Sequence, residues 1–135
     1  TGVYFMELLA GEKKELLYQV CLDGKGKLLS CRCISKGSVG ASPVYVRQVV
    51  ENALYAGASG IILAHNHPSG NPAPSRMDDL LTERVRECAK LLGVRFLDHV
   101  IIGKPTETVH RNYYSYNHPN GDRLREADKG LPLYH

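Results

Sequence analysis

A chain of 135 residues is long enough to bury a hydrophobic core as one domain, without disulfide bonds or a structural metal. Its 43% hydrophobic and 23% charged residues are ordinary for a soluble protein, and its longest clean apolar stretch, residues 60–64, is far shorter than the roughly 20 residues that span a bilayer. No basic and then apolar leader opens the sequence, so we expect a cytoplasmic protein with no membrane role. The net charge of +3 permits nucleic-acid contact but does not indicate it.

The cysteine spacing matches neither a disulfide framework nor the paired C-x-x-C motifs of a zinc knuckle. The four positions are Cys21, Cys31, Cys33 and Cys88. Cys31 and Cys33 would share one face of a strand, which leaves a metal role open. We expect buried, reduced thiols instead.

The first half of the chain predicts a hairpin followed by a helix. Leu16–Leu22 is a nearly unbroken apolar run, Asp23 to Gly26 is a turn signal, and residues 27–35 form the returning strand. Ser42 is the expected N-cap and Pro43 the first residue of the helix, which Gly57 ends. The buried face of this helix is predicted from helical spacing at Val46, Val49, Val50, Ala53 and Leu54.

The second half predicts a strand, a helix and a parallel strand. Residues 60–67 form the first strand, a proline-rich loop follows over residues 68–74, and the helix begins at Ser75 and stops at Gly93. Its inner face carries Leu81, Val85, Cys88, Ala89 and Leu92. Residues 94–102 form the next strand and residues 106–110 an edge strand. Residues 111–135 are interpreted as a loosely packed tail or a partner-binding extension. Packing at a sheet edge is expected of Tyr113, Tyr114 and Tyr116.

Two histidines and an aspartate lie around the strand–loop–helix junction, in the segment HNHPSGNPAPSRMD of residues 65–78. Residues two apart on a strand point to one face, so His65 and His67 would present their imidazoles together at the carboxyl end of a strand, where open α/β sheets bind ligands. Asp78 falls in the first turn of the helix and could face them. Two nitrogens and one oxygen leave a tetrahedral zinc one ligand short, as in catalytic sites. The pattern predicts one catalytic zinc ion, with a water at the open position.

Such a site needs a general base that takes a proton from the water, whose pKa zinc lowers to about 7. Glu15 is the best candidate, because an acid directly before the first apolar strand must face something specific. Glu12 and Glu7 are its competitors.

Simpler explanations account for parts of this pattern. Ser75-x-x-Asp78 is also a capping-box-like helix start, with aspartate in place of the usual glutamate. A His-x-His pair alone is a weak signal, because histidines often end strands. His99 follows Asp98 on a predicted buried strand and is either a neighbour of the metal site or, as we expect, a core histidine hydrogen-bonded to the backbone.

The order H-x-H, seven residues and S-x-x-D, with a glutamate far upstream, resembles the JAMM signature of MPN-domain zinc metallopeptidases. The surrounding sequence is similar to the RadC-like family over about residues 15–116. This similarity is carried by SVGASPVY at 38–45, ILA at 62–64, HNHPSG at 65–70 and LDHVIIG at 97–103. Asn71 and Ala73 depart from the family's usual polar residues. The resemblance implies a single α/β domain over residues 1–135, with a mixed β-sheet flanked by helices, a cytidine-deaminase-like topology and a C-terminal extension over residues 117–135.

Residue by residue, the resemblance implies His65, His67 and Asp78 as zinc ligands and strengthens Glu15 as the base. Ser75 matches the serine that helps to stabilise the oxyanion. We therefore expect a zinc metallopeptidase or isopeptidase that acts on a peptide or protein.

The chief rival function is a DNA-repair-associated, nucleic-acid-binding accessory domain with a structural or vestigial metal site. A zinc deaminase is disfavoured, because its H-x-E and P-C-x-x-C residues are missing.

Overall fold

The predicted hairpin and first helix are confirmed in the computed structural model, which describes residue 9 and residues 11–37, 43–109 and 111–119. Strand β1 (Leu16–Leu22) pairs antiparallel with β2 (Leu28–Lys36), and helix α1 spans Pro43–Ala56. Gly57 ends this helix with a φ of 65°, a left-handed conformation that favours glycine. The predictions for Glu7, Ser42, His110 and residues 120–135 lie outside the described residues.

The strand–helix–strand unit is also confirmed. Strand β3 (Gly60–Asn66) and strand β4 (Arg95–Ile102) are parallel and are joined through helix α2 (Arg76–Leu92). A fifth strand, β5 (Tyr113–Ser115), runs antiparallel to β4. Within the described residues the strand order is β2-β1-β3-β4-β5, so the sheet is mixed, as predicted.

Alternation along β3 divides the core between the two faces of the sheet. Ile62 and Ala64 belong to a cluster that includes Leu9 and Tyr113. Ile61 and Leu63 point to the other face, where they pack with side chains of both helices, namely Val49, Ala53, Leu81 and Val85. Because residues two apart share a face, His65 continues the row that the helices cover.

Three predictions outside the site are wrong in detail. Residues 106–109 form a turn rather than an edge strand, closed by the bond from the Thr106 amide to the Val109 carbonyl (2.8 Å). The edge strand is β5, so residues 113–115 are not a loose tail: Ser115 is fully buried and Tyr113 nearly so. Leu54 and Leu92, expected on buried helix faces, are exposed, and each lies in the last turn of its helix.

The cysteines are reduced, but only Cys21 is buried. Cys31 and Cys88 are half-buried, and Cys33 is exposed on the edge strand β2. Burial raises the pKa of the Cys31 thiol, which disfavours the thiolate that a metal requires. No cysteine joins a metal-compatible cluster among the described residues.

Among the described residues, none of the helices combines the length and apolar character needed to cross a membrane.

Candidate metal centre

The two imidazoles lie where β3 ends. His65 is the penultimate residue of the strand, and His67 extends the ladder by donating its amide to the Ile102 carbonyl at 2.9 Å. Extended backbone therefore continues through position 67, and both rings fall on one face. Their Nε2 atoms are 3.1 Å apart. The prediction that the spacing of two brings them together is confirmed.

Asp78 reaches the same point from the start of α2. Its Oδ1 lies 3.1 Å from His65 Nε2 and its Oδ2 lies 3.0 Å from His67 Nε2. The capping box is present in full: the Ser75 hydroxyl accepts the Asp78 amide, and Asp78 Oδ2 accepts the Ser75 amide at 2.8 Å. The carboxylate is only 2% exposed. The capping interpretation is confirmed, and it is compatible with a metal site, since the bonds that start the helix also aim its carboxylate at the histidines.

The proline-rich loop that joins β3 to α2 is anchored on Gly103. The amide of Lys104 donates to the Gly70 carbonyl at 2.9 Å, and Gly70 itself has a φ of 94°. A Cβ added at Gly103 would lie 2.8 Å from Pro72 Cδ and closer still to the Gly70 carbonyl oxygen. Glycine at 103 therefore allows the loop to lie directly on the backbone that follows β4.

Glu15 comes to the site through the pairing of β1 with β3. In this antiparallel pair Leu17 lies opposite His65, so Glu15, two residues earlier, is at the level of His67. Glu15 Oε1 is 3.7 Å from His65 Nε2, and the side chain is 25% exposed. The structure thus brings Glu15 together with the three predicted ligands. Glu12 lies outside this cluster.

Asn66, the residue between the two histidines, fixes the backbone on both sides of Glu15. Its Oδ1 accepts the Leu16 amide at 2.7 Å, and its Nδ2 donates to the Lys14 carbonyl at 2.9 Å. The side chain is buried and points to the face opposite the imidazoles. Sequence reasoning missed this residue; its place inside the H-x-H motif was the available signal.

Thr82 was also missed as part of the site, and His99 was only the less favoured alternative there. His99 is 0% exposed, with its Nε2 2.8 Å from His65 Nδ1 and its Nδ1 2.6 Å from Thr82 Oγ1. The expectation of a core histidine bonded to the backbone is therefore wrong, because both ring nitrogens contact side chains. Thr82 lies four residues after Asp78, one helical turn along the same face, which was the signal that could have identified it.

The ionisation of the cluster is strongly coupled. Burial opposes the charge of Asp78, but the contacts with His65 and His67 outweigh it and hold the pKa of Asp78 well below its usual range. The hydrogen bond to Asp78 raises the pKa of His67 above 6.5. Burial, with His65 acting in the same direction, lowers the pKa of His99, so this imidazole is neutral. The centre therefore places an ionised carboxylate against imidazole nitrogens, an arrangement that can bind either a cation or a proton.

The donor set fits a metal ion. One atom from each of Glu15, His65, His67 and Asp78 lies within 4.8 Å of the others. His67 Nδ1 is 2.9 Å from the Asn71 carbonyl, which only accepts, so in the neutral ring Nε2 carries a lone pair. Ligands about 2.0–2.1 Å from a tetrahedral zinc are about 3.3 Å apart. The observed separations of 3.0 and 3.1 Å are close to that spacing.

A mixed sheet, a His-x-His pair at the end of a central strand and an aspartate in the next helix define the JAB or MPN class of domains. The family model described as RadC-like JAB domain matches residues 1–122. The chain belongs to this family, and the predicted resemblance is confirmed.

Relatives in bacteria and archaea bear the name UPF0758 protein. One from Methanosarcina barkeri is 46% identical over 93 residues, which cover 69% of this chain and 41% of the relative. One from Stenotrophomonas maltophilia is 38% identical over 104 residues, covering 77% of this chain and 44% of the relative. One from Vibrio cholerae is 39% identical over 104 residues, covering 77% of this chain and 66% of the relative. The match thus spans less than half the length of the first two relatives.

Proposed function

We propose that this domain is a zinc-dependent hydrolase that cleaves amide bonds in a peptide or protein, with a peptide or isopeptide link as the scissile bond. The observation that carries the proposal is the meeting of two imidazole nitrogens and one buried carboxylate, with a second, partly exposed carboxylate beside them. Three donors leave a zinc ion open to substrate or water, whereas a structural site is closed by four.

His65, His67 and Asp78 would hold the ion. When bound, zinc supplies a Lewis acid that polarises the scissile carbonyl and lowers the pKa of water. Asp78 supplies the negative charge of the site, and the capping box keeps its two oxygens directed at the two rings.

Glu15 is proposed as the general base. Its Oε1 borders the ligands at 3.7 Å from His65 Nε2, and its partial exposure distinguishes it from the buried Asp78. A carboxylate at this position accepts a proton from the attacking water and returns it to the leaving nitrogen, a role worth about 10²–10⁴-fold in rate.

Ser75 is proposed to assist the oxyanion. Its Oγ accepts the Asp78 amide, so the hydroxyl hydrogen is left to donate, and the N-terminus of α2 favours negative charge beside it. Ser75 is an exposed residue, so a bound substrate can approach it.

Glu15→Gln tests the proposal, with Glu12→Gln as the matched control, since Glu12 lies three residues earlier and outside the cluster. Zinc content by elemental analysis and cleavage of a panel of peptides and ubiquitin-like conjugates are measured together. We expect Glu15→Gln to keep zinc and lose roughly 10²–10⁴-fold in rate, while Glu12→Gln keeps both.

Three results would contradict the proposal: full activity in Glu15→Gln, loss of zinc from it, or no zinc in the wild type. Steeply salt-dependent DNA binding without any cleavage would favour the accessory-domain rival.

A further inference from the structure

The side chains behind His65 form a continuous hydrogen-bonded series that leads away from the metal centre. It runs from His65 Nδ1 to His99 Nε2 (2.8 Å), from His99 Nδ1 to Thr82 Oγ1 (2.6 Å), and from Thr82 Oγ1 to the Asp78 carbonyl (2.8 Å). The series therefore starts on one proposed ligand and ends on the backbone of another.

The direction of these hydrogen bonds follows from the last member. A backbone carbonyl only accepts, so the single hydroxyl hydrogen of Thr82 points to Asp78 O. His99 Nδ1 must then donate to Thr82 Oγ1. In a neutral imidazole the other nitrogen, Nε2, carries a lone pair, so it accepts a hydrogen from His65 Nδ1. His65 Nε2 is left with its lone pair directed at the cluster.

The opposite order of protons would disable the site. It would leave the Thr82 oxygen and the Asp78 carbonyl 2.8 Å apart with no hydroxyl hydrogen between them. It would also put a hydrogen on His65 Nε2, the atom 3.1 Å from both Asp78 Oδ1 and His67 Nε2. A protonated Nε2 is not a metal ligand.

The surroundings of His99 favour the arrangement in which hydrogen lies on Nδ1 of both His65 and His99. The ring is fully buried, and Tyr116 stacks on it with ring centroids 5.1 Å apart and planes at 15°. Water therefore has no access to either ring nitrogen as an alternative partner.

We propose that Thr82 and His99 are positioning residues that set the tautomer of His65, so that its Nε2 is ready to bind the metal. The inference rests on the proposed metal site, and it assigns to a helix threonine and a strand histidine a role in metal affinity without contact with the ion. Partners of this kind, which contact the ligand rather than the metal, typically change metal affinity by 10–100-fold.

Thr82→Val is the principal test, because it keeps the shape of the side chain and removes the hydroxyl. Thr82→Ser restores the hydroxyl, and Thr106→Val makes the same chemical change in an exposed turn. Zinc affinity is measured by competition with a chromogenic chelator. We expect Thr82→Val to weaken zinc binding about 10–100-fold, Thr82→Ser to restore most of it, and Thr106→Val to match the wild type.

The tautomers are read separately, in the metal-free protein, from long-range ¹⁵N–¹H correlations of the imidazoles. We expect hydrogen on Nδ1 of both His65 and His99 in the wild type, and a population with hydrogen on Nε2 of both in Thr82→Val. A packing role alone would lower the melting temperature without moving these signals.

A folded Thr82→Val protein with wild-type zinc affinity, or a wild type with hydrogen on His65 Nε2, would overturn the inference. If Thr82→Val does not fold, His99→Gln takes its place. The glutamine amide oxygen can accept from His65 Nδ1, and its nitrogen can donate to Thr82. Retained zinc affinity then supports the role of the hydrogen-bonded series, and a loss above 100-fold contradicts it. A wild type that binds no zinc refutes the proposed function. The role of the hydrogen-bonded series is then judged on the tautomers of the metal-free protein.

Discussion

Asp78→Asn removes the one buried carboxylate among the proposed ligands with little change of shape. The asparagine amide oxygen can still accept the Ser75 amide, which Asp78 Oδ2 accepts at 2.8 Å, so the start of α2 is retained. The variant cannot supply a carboxylate to an ion between His65 and His67. The zinc-induced change in its melting temperature therefore reports on metal binding.

The size of the effect follows from linkage between binding and stability. Zinc at 100 times the wild-type dissociation constant stabilises the folded state by about 2.7 kcal/mol. For a chain of this length that raises the melting temperature by about 10 °C. Loss of a buried anionic ligand is expected to weaken binding by at least about 100-fold, since each protein ligand carries several kcal/mol of the total. At the same zinc concentration the variant then gains only about 0.4 kcal/mol, or about 1–2 °C.

Thermal unfolding with and without zinc measures both shifts. Asp79→Asn is the matched control, because Asp79 is the next residue of α2 and its carboxylate accepts the Tyr116 hydroxyl instead of facing the histidines. We expect the full zinc-induced shift in Asp79→Asn and almost none in Asp78→Asn. The same shift in both variants would refute the assignment of Asp78 as a ligand.

Two further predictions concern protons and the base. The raised pKa of His67 gives the metal-free protein folding stability that is fully present below pH 6.5 and is lost as the pH rises through the raised value. The lowered pKa of Asp78 gives folding stability that is present above pH 3.8 and is lost on acidification. Metal-free melting temperatures should fall as the pH rises above 6.5, while the zinc-induced increment grows. An unchanged fall in Asp78→Asn would argue against this pairing. Asn66→Ala should keep zinc but lower the cleavage rate by up to about 10²-fold, because Glu15 is no longer held from both sides; loss of zinc instead would contradict this separation.

The sequence predicts the meeting of His65, His67 and Asp78 well because their geometry is local. His65 and His67 are related by the period of a strand, and Asp78 by the first turn of a helix that Ser75 begins. Glu15 is less determined, since it approaches from about 50 residues away and its level at the site depends on the register of β1 against β3. No local pattern fixes that register, which is why its competitors stayed open.

Strand β5 and the role of His99 depend on partners distant in the chain. Strand β5 has only three residues and exists through its pairing with β4, so its own composition gives little signal. His99 looks like a core residue in sequence, because only the packing of α2 against β4 brings Thr82 to one of its nitrogens.

Gly103 has a consequence for how this domain tolerates variation. The loop that sets the spacing between His67 and Asp78 rests where a side chain at 103 would be, and even a methyl group there would meet Pro72 at 2.8 Å. Any other amino acid requires the loop or the backbone after β4 to shift, and this loop joins His67 to Asp78. A position that carries no functional group is thus constrained by the packing of the loop on which the cluster depends.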